Sequence, residues 1–243
     1  MYFYTKDIKK LQKFLNKIDY LDIGSRGDIE GWFKILENKL NITDFEANDG
    51  TAIFNKKLHN KDFFLTKNPK QSSLFEPNKD ILKYEGQSDR LKFEKIKINT
   101  DTLDNLFSNK NIDIVKVDTQ GSEYEILEGG LNFIKNQKPL LFLETWIWEY
   151  YKNIKFFDQI IGLLRSVNYE LFLIDTAAGL EVDLKGKFKS NIGDQRAGGF
   201  NLFMAPNLDE IKKLKPQKRI KMSFIFFSLN LLSQAYFIIE DLE

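Results

Sequence analysis

The eighteen residues Asp113-Ile-Val-Lys-Val-Asp-Thr-Gln-Gly-Ser-Glu-Tyr-Glu-Ile-Leu-Glu-Gly-Gly130 constrain the fold more than any other stretch of this chain. The apolar run Ile112 to Val117 has the length and β-branched content of a buried strand, and a polar turn then opens a helix. Lys116 and Asp118 are two residues apart, so a strand puts both side chains on one face. A lysine inside an Ile/Val strand is costly unless it is paired. Asp118, Gln120, Gly121 and Glu123 gather at the strand's carboxyl end, which is where open α/β sheets take ligands. A plainer reading stands beside this one: a strand–helix joint in which Asp118 caps the helix.

A second signal lies upstream. Ile18 to Ile23 reads as a short strand that ends in Asp22-x-Gly24-x-x-Gly27. Ile29, Trp32, Phe33, Leu36 and Leu40 then follow at helical spacing. Glycines at such a turn let the backbone approach a ligand closely. A second strand, Ile42 to Glu46, ends in an acid 22 positions after Gly24 (46 − 24). That is the spacing at which an acid meets ribose hydroxyls in nucleotide-binding sheets.

The pattern departs from a dinucleotide fingerprint, because the first glycine position is occupied by Asp22. An acid there repels a pyrophosphate and suits a cation. S-adenosylmethionine carries a sulfonium, an ammonium and a ribose, so electrostatics favour it over NAD.

With those residues in view, the chain resembles the FkbM family of S-adenosylmethionine-dependent methyltransferases. The matching segments are Leu21–Gly27, Phe45–Asn48, Ser72–Pro77, Thr102–Asp104, Ile114–Glu123 and Phe142–Glu144, with a weaker echo at Gly198–Phe203. The Lys-x-Asp-x-x-Gly-x-Glu run from Lys116 to Glu123 is the most family-specific. The resemblance implies an α/β fold, a doubly wound and mainly parallel sheet of the Rossmann-like methyltransferase type, with S-adenosylmethionine as cofactor. It implies methyl transfer to a hydroxyl, of a surface-polysaccharide sugar or of a secondary metabolite. Cofactor contacts are expected from Asp22, Gly24, Ser25, Arg26, Gly27, Glu46, Ala47, Asn48 and Asp118. One departure concerns the residues after Glu46. The family usually has a full helix there; this chain offers only 48–60, with Gly50 among polar residues, so that side of the pocket is expected to be abbreviated.

For the chemistry, Asp118 is the candidate base or acceptor-orienting group, and Lys116 would steady Asp118 or a developing alkoxide. Glu123 and Glu144 would complete an acidic cluster. Oxygen ligands of this kind suit a divalent cation, but the spacing fixes no ligand set and no metal site is assigned. Two rival classes remain: an NAD-dependent oxidoreductase, and a non-catalytic binding module on a methyltransferase fold.

Strands are expected near 18–23, 42–46, 62–66, 93–99, 112–118, 139–145, 169–175 and 199–205. Helices are expected near 5–17, 28–40, 101–109, 121–135, 153–166 and 207–214. Such alternation predicts a mainly parallel sheet flanked by helices, and by resemblance the last strand is antiparallel. Residues 67–87 and 176–199 read as irregular. Charge balance, 36 basic against 35 acidic residues, gives no field that would recruit nucleic acid. The absence of cysteine removes disulfides and thiol chemistry. No N-terminal signal pattern is present, which makes the cytoplasm the expected compartment. Richness in Lys, Asn, Ile and Phe is the usage of an AT-rich bacterial genome.

The chain divides into residues 1–215, the methyltransferase domain, and 216–243, an apolar C-terminal helix for docking or an interface. Of the eighteen residues from Met222 to Ile239, thirteen are apolar. Interspersed Ser, Asn and Gln argue against a lipid-bathed span. The tail is expected to cover this domain or to form a homodimer. Attachment to the inner membrane surface, helped by the basic run 215–221, is the alternative. His59, the lone histidine, reads as a solvated loop residue. Trp146 and Trp148 suit an acceptor pocket or the core equally. Asp101 and Asp104 read as caps of the helix that begins near Thr102.

Overall fold

The computed structural model describes residues 15–24, 31–47, 50–84, 86–146, 148–175 and 199–242. The apolar runs form the strands β1 (Ile18–Ile23), β2 (Leu40–Phe45), β6 (Ile114–Val117), β7 (Leu140–Trp146), β8 (Tyr169–Asp175) and β9 (Gly199–Pro206) of one six-stranded sheet. Its order is β2-β1-β6-β7-β9-β8. The β2, β1, β6 and β7 strands run parallel, while β9 is antiparallel to both β7 and β8. This agrees with the α/β, mainly parallel, doubly wound fold and with the antiparallel last strand. The chain leaves β1 for β2 on one side and returns to β6 on the other. The carboxyl ends of β1 and β6 therefore flank the switch point where such sheets bind ligands.

Period-two alternation assigns the sheet's two faces. Leu21, Ile23, Val115, Val117, Leu141, Leu143, Leu202 and Met204 pack on α2 (Leu103–Phe107), α3 (Glu123–Glu128), α4 (Leu131–Gln137) and α5 (Phe157–Arg165). Ile18, Tyr20, Ile114, Leu140, Phe142 and Phe203 face the other way, onto Phe33, Leu36, Met222, Ile225, Phe226 and Ile238. Both faces of the central strands are buried, which is why those strands read as continuous apolar runs.

Several expected elements differ. Strands near 62–66 and 93–99 do not join the main sheet. They form, as β4 (Leu58–Thr66) and β5 (Phe93–Asp101), an antiparallel pair in a separate three-stranded sheet with a short strand, β3 (Thr51–Ile53), parallel to β5. Their inward residues Ala52, Phe63 and Ile98 build a small core of their own with Phe54 and Leu74. The stretch 28–40 is, over Gly31–Lys39, a 3-10 helix; its period of three aligns fully buried Phe33 and Leu36 in one row. The helix expected at 121–135 breaks at Gly129 and Gly130. A Cβ on Gly129 would stand 2.4 Å from the Phe54 carbonyl oxygen, and one on Gly130 2.5 Å from the Leu103 side chain. Helix α1 (Lys79–Tyr84) lies inside the region read as irregular. Of the N-terminal helix at 5–17, residues 1–14 lie outside the described residues, and 15–17 are not helical. Most of the second irregular region, 176–198, also lies outside them.

The tail is two helices, not one. After α6 (Leu208–Lys212), α7 (Pro216–Ser228) ends at a turn with Asn230 left-handed (φ 63°), and α8 (Leu232–Ile239) folds back on it. Arg219 is buried between them, donating from Nε and Nη2 to the Ile238 carbonyl and pairing with Asp241. Among the described residues, no helix is long and apolar enough to cross a membrane.

Candidate active site

Backbone bonds bring three turns together at the switch point. Asp118 N donates to the Ile23 carbonyl at 2.9 Å, and Gly24 N donates to the Phe45 carbonyl at 3.2 Å. Gly24 has φ 90°, and a Cβ there would meet the Asp118 carbonyl oxygen at 2.4 Å. Only glycine allows the turns after β1 and β6 to approach this closely.

Above them opens a cavity with about 510 Å³ of empty space, part of it open to solvent. Gly24, Glu46, Ala47, Asp118, Thr119 and Gln120 line one side. Phe63, Pro69, Lys70, Ser72 and Leu74, from the small sheet and its following loop, line the other. The abbreviated segment after Glu46 contains β3 and no helix over the described residues 50–60. The small sheet supplies the wall at this place. Ser25, Arg26, Gly27 and Asn48 lie outside the described residues.

Asp22 is buried on β1 and stands beside Lys116 of β6 in the sheet register. Lys116 is 2% exposed and its Nζ lies 3.4 Å from Asp118 Oδ2. Asp118 does not cap α3. Ser122 holds the N-cap position, and the Asp118 oxygens face Lys116 and Gln120 instead. Glu144, at the end of β7, accepts from Gln120 Nε2 at 2.9 Å. Burial, then the neighbouring Asp118 charge, raise the Glu144 carboxyl well above its ordinary value.

Glu123 does not line the cavity. Its carboxylate lies beneath the 119–121 turn, where it accepts from Thr119 N at 2.8 Å, Thr119 Oγ1 at 3.1 Å and Gly121 N at 3.0 Å. Burial pushes its carboxyl up to about 7, against the opposing pull of those backbone donors. The geometry gives Glu123 the work of shaping the turn that presents Asp118 and Gln120. Among the described residues, no group of three or more His, Cys, Asp or Glu side chains is placed to hold a metal ion.

No sequence motif singles out Arg90 or Tyr151, yet the fold brings them to the side chain of Gln120. Arg90 Nη1 donates to Gln120 Oε1 at 3.0 Å and to the Tyr151 hydroxyl at 3.1 Å. Its guanidinium lies 5.6 Å from the Trp146 ring centroid and 5.8 Å from that of Tyr150. Trp146 and Trp148 belong to an apolar cluster with Leu82, Tyr150, Tyr151 and Ile154. Arg90 is 30 positions from Gln120 in the chain, too far for any local pattern to mark it. His59 is exposed on β4, its Nδ1 3.3 Å from Asn99 Oδ1, and does not line the cavity. Thr102 caps α2, while Asp104 reaches across to the first turn of α4, accepting from Phe133 N at 2.7 Å.

The profile of the family described as the methyltransferase FkbM domain matches residues 34–171, more than half of the chain. The match runs from β2 to the first three residues of β8 and takes in the Lys116-to-Glu123 run. A crystal structure of the methyltransferase FkbM from Methylobacillus flagellatus KT is similar at 14% identity, with a TM-score of 0.40 over 77% of this chain. The similarity spans 43% of that protein's length. No curated protein matches. On the strength of the profile match, the chain belongs to the FkbM methyltransferase domain family.

Proposed function

We propose that this chain transfers a methyl group from S-adenosylmethionine to an acceptor hydroxyl, on a sugar of a surface polysaccharide or on a secondary metabolite. One observation carries the reading. Asp118 lines the switch-point cavity and is at the same time held from within the sheet by a buried lysine. The residues present fit the cofactor: the Gly24 turn leaves no room for a side chain against the Asp118 backbone, and Glu46 and Asp118 put carboxylates on the wall a cationic ligand would face. Gly24, Glu46, Ala47 and Asp118 would hold it. When bound, it supplies an electrophilic methyl group on a sulfonium.

The chain's own residues do the rest. Asp118 takes or orients the acceptor's proton, within reach of the cavity. Lys116 fixes the Asp118 plane through Oδ2. Holding the acceptor in line supplies much of the rate, because positioning removes the entropy cost of a bimolecular encounter. The small-sheet wall excludes water from one side.

Titration calorimetry with S-adenosylmethionine, S-adenosylhomocysteine and NAD tests the cofactor. Binding of the first two and not the third is expected. Binding of NAD alone would transfer the site to hydride chemistry and reject this reading.

A further inference from the structure

We propose that Gln120 is a positioning residue whose amide holds the Asp118 and Glu144 carboxylates side by side as one unit. The proposal rests on the methyltransferase reading for what the pair does, and on geometry alone for what Gln120 does.

Gln120 is 7% exposed and left-handed, with φ 58°. A non-glycine residue is costly in that region unless its surroundings hold it there. Its carbonyl accepts from Ser73 Oγ at 2.7 Å, which ties the turn to the loop after β4. The amide orientation is dictated by its partners. A guanidinium can only donate, so the atom facing Arg90 Nη1 must be the oxygen. The Tyr151 hydroxyl, 3.3 Å from that oxygen, gives its own hydrogen to the Gln71 carbonyl at 2.9 Å. The NH2 group then faces the carboxylates. It has two hydrogens, and there are two acceptors: Asp118 Oδ1 at 3.2 Å and Glu144 Oε2 at 2.9 Å.

One amide therefore spans both strand ends. Asp118 is clamped between Gln120 on Oδ1 and Lys116 on Oδ2. Two nearby carboxylates in a buried site disfavour each other's charge, and donors shared between them lower that cost. The charged or titratable groups facing the pair are Lys116 from β6, Glu123 from α3, and Arg90 and Tyr151 behind the amide oxygen. A glutamate at position 120 would set a third carboxyl against the first two. A glycine would relax the backbone and leave both carboxylates without the bridge.

The test is carboxyl 13C NMR titration of the full chain labelled at Asp and Glu, in wild type, Gln120→Glu and Gln120→Gly, with Glu144→Gln to assign the signal. Coupled carboxyls titrate as a pair, so the upper midpoint is read. Removing the bridge should raise it by about one to two pH units, the equivalent of a hydrogen bond to a charged group. Gln120→Gly, which relieves the left-handed strain, keeps a folded sample available and separates the amide's role from the backbone's. An upper midpoint that stays within experimental error in both variants would overturn the proposal, whatever cofactor binds. If S-adenosylmethionine fails to bind the wild type while the midpoint still moves, the cofactor reading falls and the positioning role stands.

Discussion

Gly24 and Asp118 meet backbone to backbone: a Cβ on the first would lie 2.4 Å from the carbonyl oxygen of the second. Gly24 also sits at φ 90°, a conformation that an L side chain resists. Gly24→Ala must therefore push the β1 and β6 turns apart while straining its own backbone. We expect a loss of at least about 2 kcal/mol of stability, the scale for a strained φ/ψ combined with overpacking. Chemical denaturation measures it. Wild-type stability in a folded Gly24→Ala protein would show that the two turns do not need this approach.

Glu46 closes the β2 side of the cavity. Glu46→Ala should weaken S-adenosylmethionine by about 1–3 kcal/mol, the scale for losing a charged hydrogen-bond partner. Calorimetry on the folded variant decides this, and unchanged affinity would remove Glu46 from the cofactor site.

Asp118→Asn keeps the shape of the side chain and removes its capacity to take a proton. Turnover should fall by about 10²-fold or more, the range for a positioned acid–base group, with cofactor affinity retained. Near-normal turnover on the acceptor that the wild type methylates would make Asp118 structural.

Stability should decline between about pH 5 and pH 7. Burial pushes Glu123 up to about 7 and Glu125 likewise, so the folded state binds those protons more tightly than the unfolded one. Their contribution is fully present below the ordinary value of 4.5 and is lost as pH rises through about 7. For Glu123 a shift of this size corresponds to about 3 kcal/mol. Asp62 and Glu210, held down to about 2 by paired lysines, act in the opposite direction, and only at acid pH. Melting temperatures of wild type and Glu123→Gln across this range check the claim. The variant should show a shallower decline, and parallel curves would refute it.

Deleting α7 and α8 should prevent folding. Met222, Phe224, Ile225, Phe226 and Ile238 are buried against the sheet. Each is worth roughly 1.5–3 kcal/mol, and together they rival the whole stability of about 5–15 kcal/mol typical of a domain. Far-UV circular dichroism of a chain ending at Lys215, compared with the full chain, gives the answer. A cooperative melt near the full-length temperature would show that the tail is dispensable to this fold.

Much of the layout is legible in the order of the residues. The β1, β6 and β7 runs lie in the middle of the sheet with both faces covered, so their apolar continuity is visible along the chain. Lys116 stands out because a charge in such a run demands a partner, and Asp118 is that partner. The second sheet is not legible as a separate layer. β4 and β5 have ordinary strand composition, and nothing local records which sheet a strand joins. The expectation of a single tail helix fails for a related reason: a left-handed Asn230 between two apolar stretches looks like any polar residue in a helix.

Residue order alone located the strands of the main sheet, placed Gly24 and Asp118 at strand ends and marked the family, because these rest on short-range periodicity and on a contiguous motif. Packing in three dimensions set the rest: the small sheet walls the cavity, and Arg90 and Tyr151 stand behind Gln120. Those relations depend on side chains brought together across tens of positions. Hydrogen-bond direction and burial at such contacts are properties of the packed chain, and no local stretch of residues encodes them.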